Sequence, residues 1–374
     1  MKETLIVPKT LLPADGRFGA GPSRIRGAQV DALASAPELG TSHRAAPVKA
    51  RVQNIREGLR ELFSLPSGFE IAIGNGGATA FWAVAATSLV RESAKCAVFG
   101  EFGAKCAADW AAAPWLSVEA VEAPPGALSE VRDEVGQADV YAYPQNETST
   151  GVASPLYRGA PGEALTVVDA TSIAGATPVD WDLIDTYYFS PQKCFGSDGG
   201  LWLAVMSPAA IERAKELDGA TGRYMPSFLN LASALKQSSA NQTLNTPAIA
   251  SLILLDEQVK WLLEQGGLAV AAESSQSGAD LVAQWAKQRP WAELFVKDPA
   301  WRSPVTTTVD LAPELPVKKV SGILRAAGIV DVDGYRKLGR NQLRISTFPS
   351  VPNSDVQSLL DSIDWVAERL LEEH

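Results

Sequence analysis

The chain has 374 residues, 46% of them hydrophobic, and a mean hydropathy of zero, the makeup of a globular protein with room for two or three domains. Thirty-three lysines and arginines against 43 aspartates and glutamates leave a formal net charge of -10, which repels polyanions and excludes nucleic acid as an expected partner. The only histidines are His43 and His374, and the three cysteines, Cys96, Cys106 and Cys194, lack a C-x-x-C spacing; a disulfide framework and a metal site are therefore not expected.

Met1 to Pro8 carry no apolar run long enough for a signal peptide, so a cytoplasmic location is expected. Val48, Val52, Ile55, Leu59 and Leu62 recur at helical spacing, with Arg51, Arg56 and Arg60 on other faces. They predict one amphipathic helix over 46–63, stopped by Pro66-Ser67-Gly68. Short apolar runs at 70–73, 96–99, 140–143, 165–168, 187–189 and 201–205 predict strands, with helices or loops between most of them. The weakly polar stretch from Ala78 to Val90 falls short of the roughly 18 residues that cross a bilayer and reads as a buried helix, so no membrane span is expected. This rhythm implies an α/β fold with a mostly parallel sheet covered by helices on both faces, its ligands gathered at the carboxyl ends of the strands.

From about Pro247 the pattern changes to two long helices, 249–263 and 269–287. A strand-helix-strand-helix series follows at 305–309, 318–327, 343–346 and 354–372. A smaller second domain is the simplest account, with 24–266 as the large domain and 1–23 together with 267–374 as the small one.

Gly74-Asn75-Gly76-Gly77-Ala78-Thr79-Ala80-Phe81 follows a predicted strand and opens a helix. Its glycines let the backbone approach a ligand, and the first helical amides with the Thr79 hydroxyl can donate to a phosphate; a plain glycine turn would look the same. The lysine of a Walker loop is missing, and Thr79 stands where a dinucleotide fingerprint has its third glycine. Asp169 ends the apolar run 165–168, where a carboxylate either caps the turn at Ala170-Thr171-Ser172 or pairs with a cation such as a protonated pyridine nitrogen. Lys193, in Ser190-Pro191-Gln192-Lys193-Cys194-Phe195-Gly196, follows the next short strand. A lysine at a strand end beside small residues can bond an aldehyde cofactor, where an ordinary lysine would be a surface charge. Asp169 and Lys193 together read as a pyridoxal phosphate site. Cys194 has no histidine beside it and reads as a packing residue.

Arg344, within Gln342-Leu343-Arg344-Ile345-Ser346, suits a two-pronged grip on a carboxylate, or else a buried structural salt bridge. Ser42-His43-Arg44 supplies either ordinary surface charge or a local basic pocket for an anionic substrate. Asn146-Glu147-Thr148 matches the glycosylation pattern by chance, having no secretory signal with it.

These residues resemble phosphoserine aminotransferases, class V members of the fold type I pyridoxal phosphate enzymes, most closely their actinobacterial branch. The resemblance spans nearly the whole chain. It rests on Phe18-Gly19-Ala20-Gly21-Pro22, Ser42-His43-Arg44, Gly76-Gly77, Asn146-Glu147-Thr148, Asp169-Ala170-Thr171-Ser172, Gln192-Lys193, Asn245-Thr246-Pro247 and Arg344. It implies a fold type I transferase that exchanges an amino group between O-phospho-L-serine and 2-oxoglutarate, giving 3-phosphohydroxypyruvate and L-glutamate. In that reading Lys193 bonds the cofactor and moves the proton, Asp169 pairs with the pyridine nitrogen, Phe102 stacks on the ring and Thr148 donates to the ring hydroxyl oxygen. Gly77, Ala78, Thr79 and Gln192 bind the cofactor phosphate, and Asn245 and Thr246 reach it from the neighbouring subunit of a homodimer with shared active sites. His43 and Arg44 take the substrate phosphate, and Arg344 the α-carboxylate.

Two departures stand out. Ala78 replaces an arginine that many relatives carry, and a family His-Arg pair is here Tyr335-Arg336, which leaves Arg336 and Arg340 competing for an additional anion contact. The rival readings are an alanine-glyoxylate-type aminotransferase, a cysteine desulfurase, and a pyridoxal phosphate-binding regulatory protein without turnover. The desulfurase is disfavoured because none of the three cysteines lies in a glycine- and serine-rich loop of the small domain.

Overall fold

The computed structural model describes residues 5–372; residues 1–4 and 373–374, and with them His374, lie outside the described residues. In chain order the strands are β1 (Glu70–Asn75), β2 (Ser93–Val98), β3 (Ser117–Glu122), β4 (Val140–Pro144), β5 (Asn146–Glu147), β6 (Val152–Ala153), β7 (Leu165–Asp169), β8 (Thr186–Phe189), β9 (Leu201–Met206), β10 (Ala292–Leu294), β11 (Thr306–Leu311) and β12 (Gln342–Ser346). The α-helices are α1 (Gly27–Ala34), α2 (Ala46–Leu62), α3 (Gly77–Ser88), α4 (Glu101–Ala111), α5 (Pro208–Leu217), α6 (Leu231–Ser239), α7 (Ile249–Glu264), α8 (Gly267–Lys287), α9 (Val317–Ala326) and α10 (Asn353–Glu372).

Seven strands form one sheet in the order β1-β9-β8-β7-β4-β2-β3. The pairs from β8 to β3 are parallel, and β9 runs antiparallel to both β8 and β1. β4 and β9 are buried along their whole length, as strands covered on both faces must be. Alternate residues serve two cores: Ile71, Tyr143, Val168 and Tyr187 face the α2 and α7 side, whereas Ala72, Ala142, Val167 and Tyr188 face α3 to α6. All six predicted strands of this sheet are present with slightly shifted ends. β3 was not predicted, because Ser117-Val118-Glu119-Ala120-Val121-Glu122 is an edge strand with polar residues in solvent and lacks a continuous apolar run.

The predicted amphipathic helix is α2, whose Val48, Val52, Ile55, Leu59 and Leu62 are all buried. It ends at Leu62, and Ser64, two residues on, takes the left-handed conformation (φ 49°) ahead of Pro66. The carboxyl-terminal part holds a second, antiparallel sheet in the order β10-β11-β12, packed with α8, α9 and α10. The predicted strand-helix-strand-helix series is β11-α9-β12-α10; β10, only three residues long, precedes it. The amino-terminal segment joins this body, with Arg17 bridged to Val330 and the Ser346 N–H donating to the Phe18 carbonyl at 3.4 Å. No helix among the described residues is long and apolar enough to cross a membrane.

Candidate active site

The carboxyl ends of parallel strands leave unpaired backbone groups and room for a ligand. Here β4, β7 and β8 end in register, with Pro144 beside Asp169 and Asp169 beside Tyr188. A cavity of about 430 Å³ opens there, lined by Gly76 to Thr79, Trp82, Phe102, Asp169, Gln192 and Lys193 among others. Gly76 and Gly77 take positive φ (110° and 76°) at the start of α3, so its first amides face this space without a side chain in the way.

Asp169 caps the turn, the first of the two roles that its sequence allows. Its Oδ1 accepts from the Thr171 N–H at 2.9 Å, closing the turn, and its Oδ2 accepts from the Tyr188 hydroxyl at 3.0 Å and the Trp82 indole at 3.4 Å. No cation pairs with it among the described residues, so the carboxylate on the cavity wall is held by neutral donors only.

Lys193 sits on the turn after β8 and is 8% exposed. Its Nζ donates to the Thr148 Oγ1 at 3.1 Å and lies 5.1 Å from the centre of the Phe102 ring. Burial pulls its amine down to about 8, helped by the Arg344 charge and opposed by Asp169 and Glu147. Gly21 allows this packing, because a Cβ there would come within 2.7 Å of the Lys193 Cε. Ser23 ties the same turn down by donating its hydroxyl to the Lys193 carbonyl at 2.6 Å.

Arg344, on β12, donates from Nη1 to the Thr148 carbonyl at 3.1 Å, while its buried Nε has no partner. Among the described residues it forms no ion pair, so the structural salt bridge left open by the sequence is absent. Burial lowers its pKa, the usual sign of a cation deprived of water without a counter-ion.

The remaining expected residues lie apart from this cavity. His43 shares a 3.0 Å hydrogen bond with the Thr246 hydroxyl, Arg44 donates to the Gln242 side chain at 2.6 Å, and Asn75 donates to the Asn245 side chain at 2.8 Å. These four expected residues therefore form a second cluster outside the cavity lining. Arg336 is exposed on the turn before β12, and its side chain makes no hydrogen bond among the described residues. Arg340 is no longer a candidate anion contact, because Asp310 pairs with it at 2.5 Å.

The profile of the family described as aminotransferase class-V matches residues 28–336. A phosphoserine aminotransferase from a Nocardioides species is 48% identical over 376 aligned positions, covering 99% of this chain and 100% of the relative. The chain belongs to the class-V aminotransferase family. A protein of Mycolicibacterium vanbaalenii is 49% identical over 99% of this chain and 100% of its own length. Among solved structures, a phosphoserine aminotransferase from Cytophaga hutchinsonii superposes with a TM-score of 0.86 at 24% identity, covering 94% of this chain and 99% of that one. One from Bacillus circulans gives 0.81 at 21%, covering 95% and 99%. These structural likenesses show the fold.

Sequence reasoning missed three residues of this class-V aminotransferase site. Tyr188 and Trp82 hold Asp169, and only strand register could have put Tyr188 beside it. Glu147, within a motif otherwise used only for its resemblance, is fully buried; its oxygens accept from the Gly103 N–H at 2.7 Å and the Ser149 hydroxyl at 2.8 Å. Burial and the nearby Asp169 push its carboxyl up to about 7, against the pull of those two donors and of Lys193. It fastens the first turn of α4, which carries Phe102. Gly100 makes room for it, since a Cβ there would come within 2.5 Å of the Glu147 carboxyl carbon.

Proposed function

We propose that this chain is a pyridoxal phosphate-dependent phosphoserine aminotransferase that interconverts O-phospho-L-serine plus 2-oxoglutarate with 3-phosphohydroxypyruvate plus L-glutamate. The observation that carries the chemistry is a buried, partly neutral lysine amine on the wall of a cavity that is also lined by a carboxylate, Asp169, without a cationic partner among the described residues. The substrate follows from full-length likeness to the Nocardioides relative.

The cavity suits the cofactor. Thr171 Oγ1, Gln192 Oε1 and Asn146 Oδ1 are buried around it without a partner, and the amides of Ala78 and Thr79 open a helix toward it, as a phosphate requires. Pyridoxal phosphate supplies an aldehyde that takes up amino groups and a protonated ring that withdraws electrons from the substrate α-carbon. Asp169, held in place by Tyr188 and Trp82, would pair with the ring nitrogen and favour its protonated form. Phe102, on the cavity wall, would stack on the ring, and Thr148 orients the Lys193 amine. Lys193, neutral for part of the time near pH 8, would bond the cofactor and would accept and give back the proton at the substrate α-carbon. Arg344 holds the α-carboxylate that both amino donors share, with two-pronged geometry that a lysine could not offer.

In this reading the protein is a cytoplasmic homodimer of serine, and also pyridoxine, biosynthesis. Residues 24–266 bear the cofactor, and 1–23 with 267–374 form the smaller domain. His43, Arg44, Asn245 and Thr246 of one protomer reach the cavity of its partner, which accounts for their clustering away from their own. His43 and Arg44 meet the phosphate of one donor and the side-chain carboxylate of the other, and Arg336 supplies a further positive charge.

A coupled assay of glutamate formation from phosphoserine and 2-oxoglutarate, with alanine and serine as competing donors, tests the proposal. Phosphoserine is expected to be the preferred donor. Preference for alanine, or no turnover by the cofactor-loaded protein, overturns it.

A further inference from the structure

Arg344 presents a physical problem. A two-pronged grip on a carboxylate requires the plane of the guanidinium to be fixed, yet its one hydrogen bond, to the Thr148 carbonyl, leaves that plane free to turn. The remaining support comes from the turn before β12. The Arg344 guanidinium carbon lies 5.6 Å from the centre of the Tyr335 ring, within the range of a cation–π contact. The Tyr335 ring also meets Phe102, centroid to centroid at 6.3 Å and 58°. Two residues on, Lys337 forms an ion pair with Glu101, the first residue of α4 and the neighbour of Phe102. Glu101 also pairs with Lys105 at 3.1 Å, so it is held at its own helix start. The turn at 335–338 is thus fastened to the large sheet's α4 at two points, Tyr335 on Phe102 and Lys337 on Glu101, the latter pair 236 residues apart in sequence.

We propose that Tyr335 is the positioning residue of the carboxylate grip: its ring, docked between Phe102 and Arg344 and anchored by the Lys337–Glu101 ion pair, sets the plane of the Arg344 guanidinium. The inference rests on the reading of Arg344 given above. It makes the aromatic face, rather than the phenol hydroxyl, the working part of Tyr335, because that hydroxyl has no hydrogen-bond partner among the described residues. It also ties the shape of the substrate site to the ring-stacking residue, since Tyr335 touches both.

The test compares cofactor-loaded wild type with Tyr335→Ala, Tyr335→Phe and Lys337→Met. Three quantities are measured: KM for glutamate, KM for phosphoserine, and the dissociation constant of glutarate, a dicarboxylate with no amino group to transfer. Tyr335→Ala is expected to raise all three by the same factor, about tenfold, with kcat unchanged. Tyr335→Phe restores them, and Lys337→Met moves them the same way by less. A rise confined to one donor, a fall in kcat at constant KM, no change, or a phenylalanine variant no better than alanine overturns the proposal. If Tyr335→Ala does not fold, Lys337→Met decides: parallel rises support the proposal and unchanged values overturn it. Should the wild type prefer another amino donor, the functional reading fails on its own, while the glutamate and glutarate measurements still judge Tyr335.

Discussion

Arg51 and Arg344 are both largely withdrawn from water, and the protein treats them in opposite ways. Arg51, on α2, is held by Glu38 at 3.0 Å and by Asp256 of α7 at 2.6 Å, with Lys260 on the same aspartate at 2.8 Å. At the cavity, Arg344 has one carbonyl and one aromatic face, and Lys193 has one hydroxyl and one aromatic face. A buried charge left without a counter-ion is costly. Where the α2–α7 packing needs charge, the protein neutralises it; where the cavity needs charge, it leaves the charge open for a ligand to complete. The difference separates scaffold from site more sharply than burial does.

Lys193 puts the largest weight on that contrast. Lys193→Ala is expected to lower transamination by at least about 10⁴-fold, since one side chain provides both the covalent hold and the proton transfer. The cofactor-free variant should nevertheless resist urea as well as the wild type or better, because a desolvated amine without a counter-ion has gone. A variant that keeps most of its activity, or that unfolds much more easily, breaks the contrast.

Exchanging the two arginines sharpens it. Arg344→Met is expected to raise KM for both donors by about a hundredfold, with unfolding free energy changed by less than about 1 kcal/mol. Arg51→Met should do the reverse. Glu38 is left without a partner and Asp256 keeps only Lys260, at a cost of about 3 kcal/mol, while KM stays the same. Steady-state kinetics and denaturant unfolding on both variants give the four numbers. Equal losses of stability would show that Arg344 is structural after all.

Much of this was readable in the chain, for identifiable reasons. Strands buried on both faces leave continuous apolar runs, which is why β4, β7 and β9 could be located, and why Asp169 and Lys193 stood out at the ends of such runs. The edge strand β3 lacks that signal, and the α4 helix buries Gly103, Cys106, Ala107 and Trp110 at helical spacing but with small residues in most of the stripe, so its apolar contrast is weak. Contacts made by register or across the chain left no linear trace. Tyr188 becomes a partner of Asp169 only once β8 pairs with β7, and Tyr335 meets Phe102 only once the second sheet packs beside α4. Arg340 shows the opposite failure, since its neighbourhood suggested an anion site until Asp310, on the adjacent strand, accounted for its charge.

Glu147 gives the most demanding test, because it belongs to both regions: a scaffold carboxylate that caps α4, and a charge felt by Lys193. Its folded pKa of about 7 stands above the ordinary 4.5, so between those values the folded chain holds a proton that the unfolded chain has released. Stability is therefore lost as pH rises from 4.5 to 7, by up to about 3 kcal/mol. Glu147→Gln should remove this slope from the difference between the two stability curves. It should also move the pH at which the empty protein begins to take up pyridoxal phosphate rapidly, near 8 in the wild type, to a lower value. The direction follows from charge: the Glu147 carboxylate favours the protonated amine, and its removal frees that amine earlier. If the stability difference shows no slope, Glu147 ionises in the folded chain as it does in the unfolded one; if the uptake curve also stays, its charge does not oppose burial and Arg344 at Lys193.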